Sequence, residues 1–220
     1  MNCFLLYNFI MIKAVLFDMD GTLVDSEKHY VLGTKKWLEE KGFEISEDEL
    51  CKIIGKSSSQ VNEYLGSLLN VSSSYIEKYN TEYFNETNVI NYKDYLFDDV
   101  KDVLIKLKEK GIKLALCSGS EQFLIDKFIK DCHLENIFDL TISSEYLKHK
   151  PDPEVYLKAM ETLHLLQEEC IIVEDSYQGI KAGKATRCRV IARDASKYKI
   201  NQEEADKIIY DLHELLEDIK

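Results

Sequence analysis

The stretch KAVLFDMDGTLVDS, residues 13–26, decides the fold. Its apolar part, residues 14–17, is short and ends in a turn-forming sequence, which is typical of a buried strand. Residues two apart on a strand point to the same side, so Asp18 and Asp20 face the same way if the chain stays extended. Two such carboxylates both ionise only where a cation or good hydrogen-bond donors hold them. Gly21 then permits a backbone turn that a side chain would hinder.

Three interpretations of this stretch compete. Asp and Gly are common in ordinary turns at the end of a strand. Asp20, Gly21 and Glu27 also fit the end of an EF-hand calcium loop, but Leu16 would then occupy the first ligand position and a strand would precede the loop. The third interpretation is a catalytic site at the mouth of a parallel sheet. The stretch excludes the calcium loop and leaves the turn and the catalytic site open.

Composition limits the class of protein. The chain has 220 residues, of which 45% are hydrophobic and 31% charged, as in an ordinary soluble globular protein. Its net charge of −12 argues against non-specific binding to nucleic acid. The six cysteines form no C-x-x-C pair, which favours a reduced, cytoplasmic protein without disulfides or zinc. The apolar residues 1–11 are too few to span a bilayer and are interpreted as an N-terminal extension.

The order of predicted elements changes along the chain. Only helical patterns occur between about residues 27 and 88, one of them running from Ser46 to Gly55 with a capping box of Ser46 and Glu49. From about Asp99, helices and strands alternate, and a last short strand at residues 208–209 precedes a C-terminal helix. Alternation of this kind predicts a doubly wound parallel sheet, an α/β fold with a helical insertion after its first strand.

Polar residues gather after the predicted strands. In open parallel sheets, ligands bind beyond the carboxyl ends of the strands. Carboxylates, hydroxyls with a glycine turn, and a lysine suit a Mg²⁺ ion beside a phosphate group. The residues at these ends are Asp18 and Asp20, Ser118, Gly119 and Ser120, Lys150 in KHKPDP, and Glu174, Asp175 and Ser176.

Lys150 has two neighbouring rivals, Lys148 and His149. Its position before Pro151 favours an extended backbone, and Asp152 is then placed to cap a helix that starts at the next proline. This arrangement keeps Lys150 near the strand end, so we interpret the other two residues as solvated.

Four motifs together resemble those of the haloacid dehalogenase superfamily: DMDGT, CSGS, the Lys150–Pro151 pair and VEDS. Their order, spacing and strand-end positions match over about residues 12–210, and the chain is most similar to the β-phosphoglucomutase-like group. The resemblance implies a Rossmann-like core and a small helical cap. The expected divisions are an extension (1–11), an α/β core (12–26 and 93–220) and a cap (27–92).

The resemblance also implies roles at a site that uses Mg²⁺. Asp18 would be the nucleophile and a metal ligand, and Asp20 the general acid/base, binding the metal through its backbone carbonyl. Asp175 would complete the metal site, with Glu174 as a ligand or as a residue that supports one. The phosphoryl group would be bound by Ser118, Gly119 and Lys150.

The residues of the cap are expected to determine the choice of substrate. By resemblance, the mutase has a His where this chain has Tyr30, with His29 one residue earlier, and an Arg where this chain has Ser58, with Lys56 nearby. These departures favour a phosphatase for a small phosphorylated metabolite such as a sugar phosphate. A β-phosphoglucomutase-type mutase and a non-catalytic binding protein remain alternatives. We further expect a monomer or weak dimer with no nucleic-acid or membrane partner.

Overall fold

In the computed structural model, residues Ala14–Phe17 form the strand β1, and all four are buried. Val15 and Phe17 pack into one hydrophobic cluster, and Ala14 and Leu16 pack into another on the opposite face. A strand buried on both faces is expected in a parallel sheet covered by helices on either side. The structure describes residues 11–54, 58–84 and 89–219, so most of the predicted N-terminal extension lies outside the described residues.

Six strands form one sheet in the described part of the chain. Its order is β3-β2-β1-β4-β5-β6, and every neighbouring pair is parallel. The predicted doubly wound α/β fold is therefore confirmed. The strands after β1 are β2 (Lys113–Ser118), β3 (Leu140–Ser143), β4 (Cys170–Glu174), β5 (Arg189–Arg193) and β6 (Lys207–Ile209).

Helices occupy two places in the chain. In the described ranges, four α-helices follow β1 as the predicted helical insertion, and the other α-helices lie in the core between the strands of the sheet. The inserted helices are α1 (Ser26–Glu40), α2 (Glu47–Cys51), α3 (Ser58–Leu69) and α4 (Ser73–Glu82). The helices of the core are α5 (Val100–Glu109), α6 (Gln122–Asp131), α7 (Glu154–Leu163) and α8 (Tyr177–Ala185).

The helical insertion has a hydrophobic core of its own. Its centre is Trp37, which is buried together with Leu38 of the same helix, Leu50 and Leu65. A separate core is what a separately packed domain requires. The exact boundaries of the cap, residues 27 and 92, stay a prediction.

The two chain crossings between core and insertion pair with each other. Val24 forms an antiparallel bridge with Leu96. The backbone N–H of Asp25 donates to the carbonyl of Tyr95 at 2.8 Å, and that of Phe97 donates to Leu23 at 3.2 Å. This short ribbon fixes where the insertion leaves and re-enters the core.

Some local predictions needed correction. The Ser46 hydroxyl caps α2 as expected by accepting from the N–H of Glu49, but the Glu49 side chain binds Lys52 instead of closing the capping box. The helix ends at Cys51, before the expected Gly55. The predicted C-terminal helix is present as a 3₁₀ helix, Leu212–Asp218. Pro153 is the N-cap of α7 rather than its first residue, although the Asp152 carboxylate does accept a bond from the N–H of the first helical residue. No helix in the described ranges is both long and apolar enough to cross a membrane.

Candidate active site

The order of the sheet brings three strand ends together. β1 lies between β2 and β4, so Asp18, Ser118 and Glu174 meet at one edge. The N–H of Asp18 donates to the Val173 carbonyl at 2.9 Å, which continues the pairing of β1 one residue beyond the strand. The candidate residues from three separate motifs therefore share one edge, as the sequence predicted.

Gly21 lets the loop after β1 lie against Asp175. Its φ of +79° is in the region that favours glycine, and a Cβ there would lie 2.1 Å from Oδ2 of Asp175. The hydroxyl of the next residue, Thr22, donates to Oδ1 of the same carboxylate at 3.2 Å. Both the backbone conformation and the close contact therefore require glycine at this position.

Lys150 connects the carboxylates of the site. Its Nζ lies 2.5 Å from Oδ1 of Asp18 and 2.6 Å from Oε1 of Glu174, and it also donates to the Cys117 carbonyl at 3.3 Å. Burial opposes the charged ammonium, but the two carboxylates hold the pKa of Lys150 well above its usual value. The structure thus brings Lys150 to the site.

The two rival residues lie elsewhere. Lys148 and His149 are exposed, and the Lys148 ammonium lies 3.6 Å from Asp152. The Lys150–Pro151 peptide bond is cis.

Two hydroxyl groups hold the carboxylate of Asp20. Ser26 donates to Oδ1 at 2.6 Å and Ser120 donates to Oδ2 at 2.7 Å. Burial raises the pKa of Asp20, and these two hydrogen bonds oppose the rise. The sequence did not single out Ser26, and it placed Ser120 at the strand end without a role. The signal for Ser120 was a second hydroxyl two residues after Ser118.

Glu174 is fully engaged by hydrogen bonds. Oε1 accepts from Lys150 and from the Tyr156 hydroxyl at 2.7 Å. Oε2 accepts from the N–H of Asp175 and from both the N–H and the hydroxyl of Ser176. Burial disfavours the ionised form, but Lys150 and the hydrogen bonds hold the pKa of Glu174 below its usual value. This arrangement favours a residue that supports the site over a metal ligand.

The donor atoms of the site fit a divalent cation. One oxygen each of Asp18, Glu174 and Asp175 lie within 4.8 Å of one another. Burial and the neighbouring carboxylates raise the pKa of Asp18 to about 8, and they raise the pKa of Asp175 well above its usual value. A hard cation that accepts oxygen ligands would keep these two carboxylates ionised. The residues best placed to hold it are therefore Asp18 and Asp175.

The predicted phosphate-binding turn is open beside Gly119. A Cβ built on Gly119 would have no atom within 4 Å. The Ser118 hydroxyl is buried and accepts from the N–H of Ser120 at 3.0 Å. The turn is therefore open to solvent at Gly119.

The described residues of the cap that were candidates for substrate binding are not part of the carboxylate cluster. His29 is 4% exposed, its ring contacts those of Tyr30, Phe84 and Tyr95, and its Nδ1 lies 3.3 Å from the Tyr95 hydroxyl. Tyr30 is partly exposed at the edge of the same ring cluster. Lys56 lies outside the described residues. The structure therefore places His29 in a packed aromatic cluster.

The model of the family described as haloacid dehalogenase-like hydrolase matches residues 15–193, a span that includes all four motifs. The chain belongs to this family. The prediction of a haloacid dehalogenase-type enzyme is confirmed.

Two curated relatives of this hydrolase are named as phosphatases. The phosphorylated carbohydrates phosphatase of Thermotoga maritima is 31% identical over 176 residues, covering 79% of this chain and 81% of that protein. The phosphoglycolate phosphatase of Aquifex aeolicus is 34% identical over 176 residues, covering 78% and 80%. These relatives support the predicted enzyme class, a phosphoric monoester hydrolase.

A solved structure shows the same fold. The β-phosphoglucomutase of Clostridium difficile superimposes on the hydrolase with a TM-score of 0.69 at 19% identity, covering 93% of each chain. At this identity the likeness concerns the fold alone.

Proposed function

We propose that this hydrolase is a Mg²⁺-dependent phosphatase that cleaves a small phosphomonoester through an aspartyl-phosphate on Asp18. The observation that supports it most is the position of Lys150, whose ammonium contacts both Asp18 and Glu174 inside a buried carboxylate cluster. A cation beside a nucleophilic carboxylate favours its ionised form and attracts a phosphoryl dianion.

The first half of the reaction uses Asp18 and Asp20. An oxygen of Asp18 attacks phosphorus, and the bond from phosphorus to the ester oxygen breaks. The leaving alkoxide takes a proton from Asp20, a partly buried carboxyl group whose pKa is raised by desolvation. The hydroxyls of Ser26 and Ser120 fix the orientation of this carboxyl group.

The second half returns the enzyme to its starting state. Asp20, now ionised, accepts a proton from a water molecule as the water attacks phosphorus. The bond between phosphorus and Asp18 breaks, and inorganic phosphate leaves. Lys150, Ser118 and the Gly119 backbone would hold the phosphoryl oxygens during both halves.

Asp18, Asp175 and the backbone carbonyl of Asp20 would hold the Mg²⁺ ion. When bound, the ion neutralises negative charge where the phosphoryl oxygens meet the carboxylates. Glu174 would support Lys150 rather than bind the ion, because hydrogen bonds already occupy both of its oxygens.

The cap favours hydrolysis over phosphoryl transfer between sugar hydroxyls. The only histidine near the mutase position, His29, is buried among aromatic rings, and Tyr30 stands where the mutase has its His. We therefore propose a small phosphorylated metabolite as substrate and water as the acceptor. The cytoplasmic location and the monomer or weak dimer stay predictions.

The test is an assay of phosphate release. With p-nitrophenyl phosphate, we expect turnover that needs Mg²⁺ and stops when EDTA is added. With β-glucose 1-phosphate and a trace of glucose 1,6-bisphosphate, we expect no glucose 6-phosphate. Efficient formation of glucose 6-phosphate would establish the mutase instead. No turnover of a broad set of phosphomonoesters would favour the non-catalytic alternative.

A further inference from the structure

Tyr156 brings a hydroxyl group to the carboxylate that anchors Lys150. It lies in the first turns of α7, is fully buried, and packs in the hydrophobic cluster on one face of the sheet. Its hydroxyl donates to Oε1 of Glu174 at 2.7 Å, and its ring centroid lies 5.1 Å from Nζ of Lys150. The ring fills apolar space, while the hydroxyl faces the polar network.

The carboxylate that receives this hydrogen bond has little room to move. A Cβ on Gly179 of α8 would lie 1.8 Å from Oε1 of Glu174, so the helix packs directly on the carboxylate. Oε2 is held by the backbone of Asp175 and by Ser176. Tyr156 and Lys150 are therefore the two donors that complete Oε1.

Lys150 depends on its partners for its position. A lysine side chain is a flexible four-carbon stem with a compact charge, so the contacts of the ammonium define where the charge lies. The fixed Oε1 of Glu174, at 2.6 Å, is one such contact, and Asp18 is the other carboxylate partner. If Glu174 shifts, the ammonium shifts with it, away from its place beside Asp18.

We propose that Tyr156 is a positioning residue, whose hydroxyl holds Glu174 so that the Lys150 ammonium stays beside Asp18, where it can bind the phosphoryl oxygens. This inference rests on the proposed phosphatase function. The hydroxyl of Tyr156 donates to Glu174, and its ring lies against the Lys150 ammonium. It acts through Glu174, and it joins α7 to the same carboxylate that Lys150 binds from the preceding loop.

The test compares Tyr156→Phe with Tyr64→Phe. The Tyr64 hydroxyl also donates to a glutamate, Glu49, but within the helical insertion, so this variant is a matched control. For each variant we would measure kcat and KM for p-nitrophenyl phosphate, the Kd of inorganic phosphate with Mg²⁺ by calorimetry, and Tm. Tyr156→Phe should lower kcat and weaken phosphate binding about tenfold, as expected for one hydrogen bond to a charged group. Tyr64→Phe should leave both unchanged.

A double variant tests whether the effect passes through Glu174. In a Glu174→Gln background, Tyr156→Phe should cause little further loss, because the anchor is already weakened. Additive losses would overturn the proposal. So would a Tyr156→Phe protein within about twofold of wild type in kcat and in phosphate affinity, a change of about 0.4 kcal/mol. A loss of activity that merely follows a loss of folded protein, seen as a large fall in Tm, would also overturn it.

Phosphate binding keeps this test separate from that of the proposed function. If the wild-type protein hydrolyses no phosphomonoester, the proposed function fails. The comparison of phosphate affinities between Tyr156→Phe and wild type still decides whether Tyr156 positions Lys150.

Discussion

The ion pairs at the edge of the sheet are buried, whereas those of the helical insertion are exposed. At the edge, the side chains of the Lys150–Asp18 pair are 11% and 9% exposed. In the insertion, those of the Lys52–Glu49 pair are 56% and 33% exposed. A buried charge must be paired and hydrogen-bonded, whereas an exposed pair contributes little to stability. The fold therefore specifies the geometry of the edge tightly and leaves the polar surface of the insertion free to vary.

The difference in burial suggests that the sheet edge and the insertion have different roles. The edge has the groups that a phosphoryl transfer needs, held by neighbouring strands of one sheet. The insertion has its own core around Trp37 and is connected to the edge through the ribbon at Val24 and Leu96. We expect substitutions at the edge to change chemistry in large steps, and substitutions in the insertion to change substrate preference and stability.

The largest effect should come from Asp18→Asn. An amide is a poor nucleophile, so kcat should fall by about 1,000-fold or more while the protein stays folded. Asp48→Asn, on the exposed surface of the insertion, is the matched control and should retain full activity. The measurement is turnover of p-nitrophenyl phosphate with saturating Mg²⁺. Retention of more than about a tenth of wild-type kcat would rule out Asp18 as the nucleophile.

Alanine substitutions at two glycines with the same backbone conformation allow a direct comparison of the sheet edge with the insertion. Gly21 at the edge has φ +79°, and Gly42 after α1 has φ +80° with no atom within 4 Å of a built Cβ. Alanine at either position should cost about 1–2 kcal/mol of backbone strain. Gly21→Ala must also displace Asp175, so we expect a loss of about 100-fold in kcat.

Gly42→Ala should show the loss of stability alone. Chemical unfolding of the two variants measures the loss of stability, and steady-state kinetics measures the loss of activity. Equal activity in both variants would mean that the contact between Gly21 and Asp175 has no catalytic importance.

Asp175→Asn should act on the metal. The substitution removes a charged oxygen ligand, so the Mg²⁺ concentration for half-maximal activity should rise at least about tenfold. Glu174→Gln is the informative partner, because its oxygens are occupied by hydrogen bonds. It should lower kcat with a much smaller change in the Mg²⁺ requirement. Identical metal titrations for the two variants would show that Glu174 is also a ligand.

The smallest effect concerns a surface site away from both regions. His213 lies between Asp211 and Asp102, at 2.6 and 2.7 Å, and these carboxylates raise the pKa of His213 above its usual 6.5. A raised folded-state pKa stabilises the protein fully below pH 6.5, and this contribution is lost as pH rises through the higher value. In the wild-type protein the free energy of unfolding should therefore fall slightly as pH rises above about 6.5, and in His213→Gln this fall should be absent. Denaturant unfolding of both proteins across this range checks it.

The residues at the strand ends could be predicted from the sequence because topology alone brings them together. Parallel strands end at the same edge, so Asp18, Ser118 and Asp175 needed only correct assignment of strands and order. Lys150 lies in the loop after β3, and its prediction also used the following proline. The resemblance to a known family then supplied their expected roles. The sheet itself was predicted from the alternation of helix and strand.

The partners of these residues could not be predicted in the same way. Ser26 and Ser120 reach Asp20 because of the path of two loops, which the order of the strands does not determine. Tyr156 lies in the apolar stripe of α7, where only its hydroxyl distinguishes it from an ordinary core residue. The early end of α2 at Cys51 was missed because five residues are too short for periodicity to define a boundary.

The most direct test of the account is a crystal structure of the hydrolase with Mg²⁺ and beryllium fluoride. BeF₃⁻ binds to a nucleophilic carboxylate as a mimic of aspartyl-phosphate. We expect beryllium on an oxygen of Asp18, fluorines near Lys150 and the Ser118–Gly119 turn, and Mg²⁺ on Asp18 and Asp175. Beryllium bound to Asp20 or Glu174 instead, or its absence from the cluster under conditions that inhibit turnover, would contradict the proposal that Asp18 is the nucleophile.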